Sequence, residues 1–163
     1  MPRENMVTIE NARMIFKNFR GEKRVHMGTT MNEQGKRNFN LILSSEDAER
    51  LGAMGFNVRV RPPRNDEEEP QYLMKVNVNF ETGRPPVITQ YVGRNKLVLD
   101  ESTVGELDYA DIQHVDLTVN AYRRQDLTGR ETVTAYLHSM HVVIEQDAFA
   151  DKYAEYGEDD RAF

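Results

Sequence analysis

The residues best suited to chemistry lie between positions 16 and 43, where aromatic and cationic side chains alternate around glycines. The segment opens with FKNFR at 16–20 and ends where Lys36 and Arg37 lead into the apolar run 39–43. Cations attract phosphate groups, and flat aromatic rings offer faces on which unpaired bases stack. The pattern therefore predicts a nucleic-acid-binding segment that a sheet holds in place.

The same combination of aromatic and basic residues recurs in later turns and on later strands. The candidate phosphate contacts are Arg20, Lys23, Arg24, Lys36, Arg37, Arg59, Arg61, Lys75, Arg94, Lys96, Arg123 and Arg124. The candidate stacking residues are Phe19, Tyr91, Tyr122 and Tyr136, whereas Phe16 and Phe39 are assigned to the core. Because tyrosine is also a good strand former, a purely structural role for the tyrosines stays open.

Charge is distributed unevenly along the chain. The net charge is -6, which taken alone argues against a nucleic-acid partner. Residues 1–64, however, hold 12 lysines and arginines against 7 acids, and residues 65–163 hold 9 against 20. Such asymmetry is typical of a basic working surface with an acidic counterweight.

Length and composition favour one globular domain. The chain has 163 residues and an ordinary apolar fraction of 39%. It has no cysteine, so disulfides and thiolate metal sites are excluded. No apolar run approaches the roughly 20 residues that a membrane helix needs, and the first residues contain no signal-peptide core. These features predict a cytoplasmic protein that does not contact membranes.

Alternating apolar residues predict a strand-rich fold. The predicted strands are 7–16, 39–43, 56–61, 72–80, 87–92, 97–99, 114–122 and 132–144. Near Asn11 the apolar residues change from odd to even positions, so the alternation is offset by one residue. This offset indicates either a β-bulge or two short strands with a kink. The polar loop 20–36 is long for a hairpin connection, so we expect it to be mobile without ligand and ordered with it.

One helix is predicted over residues 45–54. Ser44 precedes Asp47 with capping-box spacing, and Gly55 can end the helix in the left-handed conformation. A single helical turn near 105–107, capped by Ser102 and Thr103, is also expected.

The sequence contains no recognisable set of catalytic residues. The chain has no P-loop and no dinucleotide-binding fingerprint. His138 and His141 are three residues apart on a predicted strand, so they point to opposite faces and do not easily bind one metal. We expect no enzyme activity, no metal and no cofactor. An undetected nuclease stays open, and metal-dependent cleavage of an oligonucleotide would reveal it.

Several segments together resemble the phage-type single-stranded DNA-binding proteins of the OB-fold class. The resemblance is carried by NARMIFKNF at 11–19, GKRNF at 35–39, the helix that follows, GFNVR at 55–59, and the acidic end with Phe163. It implies a mainly β, OB-fold-like small antiparallel barrel over residues 1–145, with one short helix after the second strand. It also implies an acidic C-terminal tail over residues 146–163.

In that family the tail recruits replication proteins, such as a polymerase or helicase, and competes with DNA for the basic groove. The tail residues that match are Glu158, Asp159, Asp160 and Phe163, although Arg161 interrupts the pattern. The implied function is sequence-independent binding of single-stranded DNA in phage replication, recombination or repair.

Two other interpretations are compatible with the sequence. A phage structural or assembly protein built on a β-sandwich would explain the charge asymmetry as an interface and would not bind nucleic acid. An RNA-binding OB domain would differ in its response to the 2′-hydroxyl. The sequence also leaves a homodimer open.

Overall fold

The computed structural model of the protein describes residues 5–145, and these residues form eleven strands, one α-helix and a 3-10 helix. The strands are β1 (Met6–Ile9), β2 (Arg13–Asn18), β3 (Arg24–His26), β4 (Thr29–Asn32), β5 (Arg37–Leu43), β6 (Val58–Arg61), β7 (Gln71–Val78), β8 (Val87–Val92), β9 (Asn95–Leu99), β10 (Ile112–Gln125) and β11 (Glu131–Ile144). The α-helix α1 spans Ser45–Ala53, and the 3-10 helix spans Val104–Asp108. The predicted tail residues lie outside the described part of the chain.

The main sheet closes into a five-stranded barrel. Its hydrogen-bonded order is β1-β10-β11-β7-β5-β2, and the two end strands are consecutive in the chain. β1 and β2 therefore act as one broken first strand, followed by β5, β7, β10 and β11. β7 and β11 run parallel and the other barrel pairs run antiparallel. This is the topology of an OB-fold, a small Greek-key barrel, and it confirms the predicted fold class.

The first strand is broken at Asn11, where the alternation of apolar residues is offset by one position. Asn11 has a φ of 51°, in the left-handed region, and its backbone N–H donates to Asp116 at 2.8 Å. β1 pairs with β10 before this point, and β2 pairs with β5 after it. Of the two sequence interpretations, two short strands with a kink is correct.

The helix forms as the sequence predicts. The Ser44 side chain accepts a hydrogen bond from the Asp47 backbone N–H at 3.1 Å, which satisfies one of the unpaired donors at the helix start. Gly55 takes the left-handed conformation after the helix, with a φ of 100°. The helix follows the second barrel strand, as expected, and packs Leu51 into the core. No helix among residues 5–145 is long and apolar enough to cross a membrane.

The long loop after β2 contains a hairpin that the sequence analysis missed. β3 and β4 pair around a two-residue turn, Met27–Gly28, whose φ angles are 50° and 81°. Two positive φ angles match the twist of a two-residue hairpin, so this turn supports pairing despite the low hydrophobicity of the loop. The 3-10 helix lies close to its predicted place, but Thr103 makes no capping bond there. Instead the Thr103 and Ser102 hydroxyls donate to Asp100.

Candidate nucleic-acid interface

The outer face of β5 and β7 forms the floor of the candidate site. Asn38 and Asn40 of β5 lie opposite Asn77 and Lys75 of β7, so these four polar side chains share one face. Phe39, between the two asparagines, faces the barrel core, whereas Asn38 and Asn40 lie on the other face of β5 and are buried there beneath their hydrogen-bond partners Asn32 and Arg59. Together these side chains make a polar, weakly basic platform, on which Lys75 is exposed.

β6 extends this face with two arginines. Arg59 lies opposite Leu73 and Arg61 opposite Gln71, which places both arginines beside the platform. The Arg59 guanidinium donates to the Asn40 side chain at 2.6 Å. This bond crosses β7, orients the guanidinium over the sheet and leaves its other N–H groups available to an acceptor.

A tyrosine pair lies at the next strands of the same face. Tyr136 of β11 lies opposite Asn77 of β7. Tyr122 of β10 lies opposite Thr134 of β11. The two rings meet edge to face, with centroids 6.1 Å apart and an interplanar angle of 87°. Tyr122 is 55% exposed, so its ring offers a surface to a base.

These residues line a series of connected depressions. One, of about 630 Å³, is lined by Arg59, Lys75 and Asn77 together with the β10–β11 turn. The next, of about 390 Å³, is lined by Lys36, Asn77 and Tyr136.

 A third depression in the series contains both tyrosines. Since neighbouring depressions share Asn77 or Tyr136, they form one groove, which we call the platform groove.

The β10–β11 turn borders the platform groove and is held rigid by its own hydrogen bonds. The Asp126 carboxylate accepts from the Thr128 hydroxyl at 2.6 Å and from two backbone N–H groups. The Thr128 hydroxyl, followed by these backbone donors, holds the pKa of Asp126 below its usual range. Arg124 lies opposite Thr132 on the tyrosine face, and Arg130 lines the groove.

Not every candidate faces the platform groove. Arg123 points to the other side of β10 and forms an ion pair with Glu131 at 3.0 Å. Arg37 lines the depression of about 390 Å³ but is mostly buried and already paired: its guanidinium donates to the Phe19 carbonyl at 2.6 Å and lies 3.7 Å from Glu101. Arg20 lies over the Tyr109 ring, 4.7 Å from its centroid.

Phe19 is wrongly assigned as a stacking residue. It is fully buried and stacks on Phe39, with ring centroids 5.2 Å apart. Its backbone N–H donates to Asp108 at 2.7 Å, which anchors the start of the long loop against the 3-10 helix. The assignment failed because the broken register of β2 shifts Phe19 into the core.

Lys23 and Arg24 are exposed on or beside the β3–β4 hairpin, outside the depressions that form the groove. Tyr91, Arg94 and Lys96 belong to the β8–β9 hairpin. Tyr91 lies beside Val143 of β11, seven residues from Tyr136, or roughly 23 Å along the strand. These three residues are therefore remote from the platform groove.

The sequence analysis missed several residues of the groove. Asn40 supports it and Arg130 lines it, but an isolated asparagine on a strand carries no strong signal. Arg130 was visible as one of three arginines around a hairpin turn. Among residues 5–145, no group of three histidine, aspartate or glutamate side chains could hold a metal ion.

An OB-fold with a polar, basic face on its second and third strands, bordered here by the tyrosine pair of the fourth and fifth strands, is typical of proteins that bind oligonucleotides or oligosaccharides. The family model described as "Putative phage ssDNA-binding domain" matches residues 1–163. The chain therefore belongs to that family, and the predicted resemblance is confirmed. The family is one of binding proteins, which agrees with the expectation that the chain is not an enzyme.

Similar solved structures share the fold at low sequence identity. The single-stranded DNA-binding protein from bacteriophage Enc34 matches with a TM-score of 0.54 and 10% identity, covering 93% of this chain and 91% of that one. The same phage protein in complex with ssDNA matches with a TM-score of 0.54 and 10% identity, covering 90% of each chain. Its C-terminal truncation gives a TM-score of 0.52 and 11% identity, covering 89% and 88%. Among curated protein sequences, none matches significantly.

Proposed function

We propose that the protein binds single-stranded DNA along the platform groove, without regard to sequence, during phage DNA replication, recombination or repair in the host cytoplasm. The observation that carries the proposal is the convergence of Lys75, Arg59 and the tyrosine pair on one continuous face. Basic side chains on this face neutralise phosphates, and aromatic rings stack bases of any identity. The family and the DNA-bound phage relative support this assignment.

Phosphate contacts make the affinity depend on salt. Six of the cations that lie on or border the face are Lys36, Arg59, Arg61, Lys75, Arg124 and Arg130. If all six engage phosphates, the logarithm of the association constant falls with the logarithm of salt concentration with a slope of about -4. Duplex DNA binds more weakly because its bases are paired and cannot stack on the tyrosines.

Fluorescence anisotropy with labelled oligonucleotides tests the proposal. Single-stranded DNA, its duplex and single-stranded RNA of equal length are titrated with the full chain at several salt concentrations. The proposal requires tight, salt-dependent binding of several unrelated single-stranded DNA sequences. Absence of such binding, together with a large defined oligomer, would instead favour an assembly protein; a preference for RNA would favour RNA as the ligand.

We further propose that the acidic tail, through Glu158, Asp159, Asp160 and Phe163, recruits replication proteins and competes with DNA for the groove. A tethered acidic segment has a high effective concentration near a basic surface, so even weak contacts compete. Deleting residues 158–163 should tighten DNA binding at low salt and have less effect at high salt. The matched control replaces those residues with an uncharged segment of equal length. Equal binding by the full and shortened chains at low salt would exclude the competition.

A further inference from the structure

Phe16 is an exposed aromatic residue in an unusual backbone conformation. The sequence pattern assigns it to the core, but in the structure it is 51% exposed. Its φ is 55°, in the left-handed region. A bulky side chain in that region is a genuine outlier, because its Cβ crowds the backbone. The assignment to the core is therefore wrong, and the conformation needs a reason.

A β-bulge produces this conformation. Ile15 lies opposite Asn40 and Asn18 opposite Asn38, so Phe16 and Lys17 together face the single residue Phe39. The bulge sends the Lys17 ammonium group to the carbonyls of the 3-10 helix region, with a hydrogen bond of 2.7 Å to Leu107. Glycine would adopt the left-handed position without steric cost. The bulge alone therefore does not require an aromatic ring here.

The ring of Phe16 lies at the β2 and β6 end of the platform. The Arg61 guanidinium is 5.8 Å from the ring centroid. Ile15, the neighbour of Phe16, lies opposite Asn40 and lines one depression of about 480 Å³ together with Arg61. Phe16 on β2 and Arg61 on β6 thus lie on strands that pair with β5 and β7, which carry Asn40 and Lys75, and on the side of the platform away from the tyrosine pair.

We propose that Phe16 and Arg61 form a second base-binding subsite, in which the ring stacks an unpaired base and the guanidinium binds an adjacent phosphate. This inference rests on the proposed function and extends the groove beyond the tyrosine pair. Backbone strain persists mainly at ligand-binding positions, where the surrounding structure enforces it. An exposed aromatic ring beside a cation is also the pair of groups that stacking on single strands uses.

The absence of tryptophan from the chain permits a direct test. In Phe16→Trp the single indole reports stacking, because a base in contact with it quenches its fluorescence. The control is Val98→Trp on β9, which replaces a side chain that is 59% exposed and remote from the groove. Titration with oligo(dT) should quench the indole at position 16 and leave that at position 98 unchanged. Equal quenching at both positions, or none at 16, overturns the subsite.

A second variant tests whether the aromatic ring of Phe16 contributes to binding, without the strained backbone conformation. Phe16→Gly removes the ring and relieves the left-handed backbone, so the fold is preserved. Its affinity for oligo(dT) should fall about 5- to 150-fold, the usual effect of losing one stacked base. Wild-type affinity in Phe16→Gly would overturn the subsite while the proposed function stands. If the wild-type protein binds no single-stranded DNA, both the proposed function and the subsite are excluded.

Discussion

The two ends of β11 hold similar residues in different surroundings. At the first end, Tyr136 faces the platform groove beside Tyr122 and near Lys75. At the second end, β11 pairs with β8, whose Tyr91 is followed by the basic turn that contains Arg94. Judged by residue type, each end is a tyrosine beside cations, and the sequence analysis treated them alike.

The neighbouring strands make the two ends different. At the first end, β5, β6 and β7 place further polar and basic side chains on the same face as Tyr136. At the second end, the Tyr91 hydroxyl is hydrogen-bonded to His141 at 3.0 Å and the two rings stack. The lining of the platform groove includes no residue of β8 or β9. A binding surface thus depends on which strands are adjacent, not on residue types alone.

Charge reversal at each end provides the largest expected difference. Lys75→Glu with Arg124→Glu changes the charge of the first end, and Arg94→Glu with Lys96→Glu makes the same change at the second. Within residues 5–145, neither Lys75 nor Arg124 forms an ion pair, so the first variant breaks no salt bridge there. Each lost phosphate contact should weaken binding at least about tenfold.

Fluorescence anisotropy at several salt concentrations measures both double variants. The salt slope of the first should become shallower by about 1.4, since two phosphates are no longer neutralised. The second should keep nearly the wild-type slope and affinity. Equal losses in the two variants would mean that only the overall charge matters and that the groove has no special role.

Removing the tyrosines should have the next largest effect. Tyr122→Ala or Tyr136→Ala should each weaken binding by about 1–3 kcal/mol, the cost of one lost stacked base. Because the two rings touch, the double variant should lose less than the sum of the single variants. Tyr→Phe changes keep the ring and should keep the affinity.

Tyr91→Ala serves as the control for the tyrosines, since its ring lies at the second end of β11. Binding curves at one salt concentration suffice for the comparison. A loss in Tyr91→Ala as large as that in Tyr136→Ala would place DNA at both ends and contradict the distinction between them.

Local signals in the sequence predicted the elements well. The helix cap at Ser44, the left-handed Gly55 and the alternation along β5, β7 and β11 depend on neighbouring residues, which the sequence shows directly. The OB-fold class followed from the resemblance. The face shared by Lys75 and Asn77 followed from the strand period of two.

Long-range register was not predictable in the same way. A bulge at Phe16 and Lys17 reversed the expected positions of two phenylalanines, leaving Phe16 exposed and Phe19 buried. A single inserted residue exchanges the two faces of a strand, and nothing in the local pattern marks it. The parallel pairing of β8 with β11 likewise depends on contacts between distant segments, so the remote position of Tyr91 could not be inferred.

The smallest expected effect concerns Asp116 of β10, which lies opposite His141 near the second end of β11. The Asn11 backbone N–H, followed by the His114 side chain and the charges of His114 and His141, lowers the pKa of Asp116. A carboxylate with a lowered folded-state pKa stabilises the fold above its unfolded pKa of about 3.9, and this contribution is lost as the pH falls through the folded pKa. Because Asp116 is exposed, the contribution is below about 1 kcal/mol.

Asp116→Asn keeps an oxygen that accepts the Asn11 hydrogen bond and removes only the charge. Urea unfolding should show the variant slightly less stable than wild type at pH 6, with the difference shrinking as the pH falls below the unfolded pKa and through the lowered folded pKa. DNA affinity at neutral pH should be unchanged, since Asp116 lies away from the platform groove. A stability difference that stays constant on acidification would show that the effect is not electrostatic. A change in affinity would show that the second end of β11 also contributes to DNA binding.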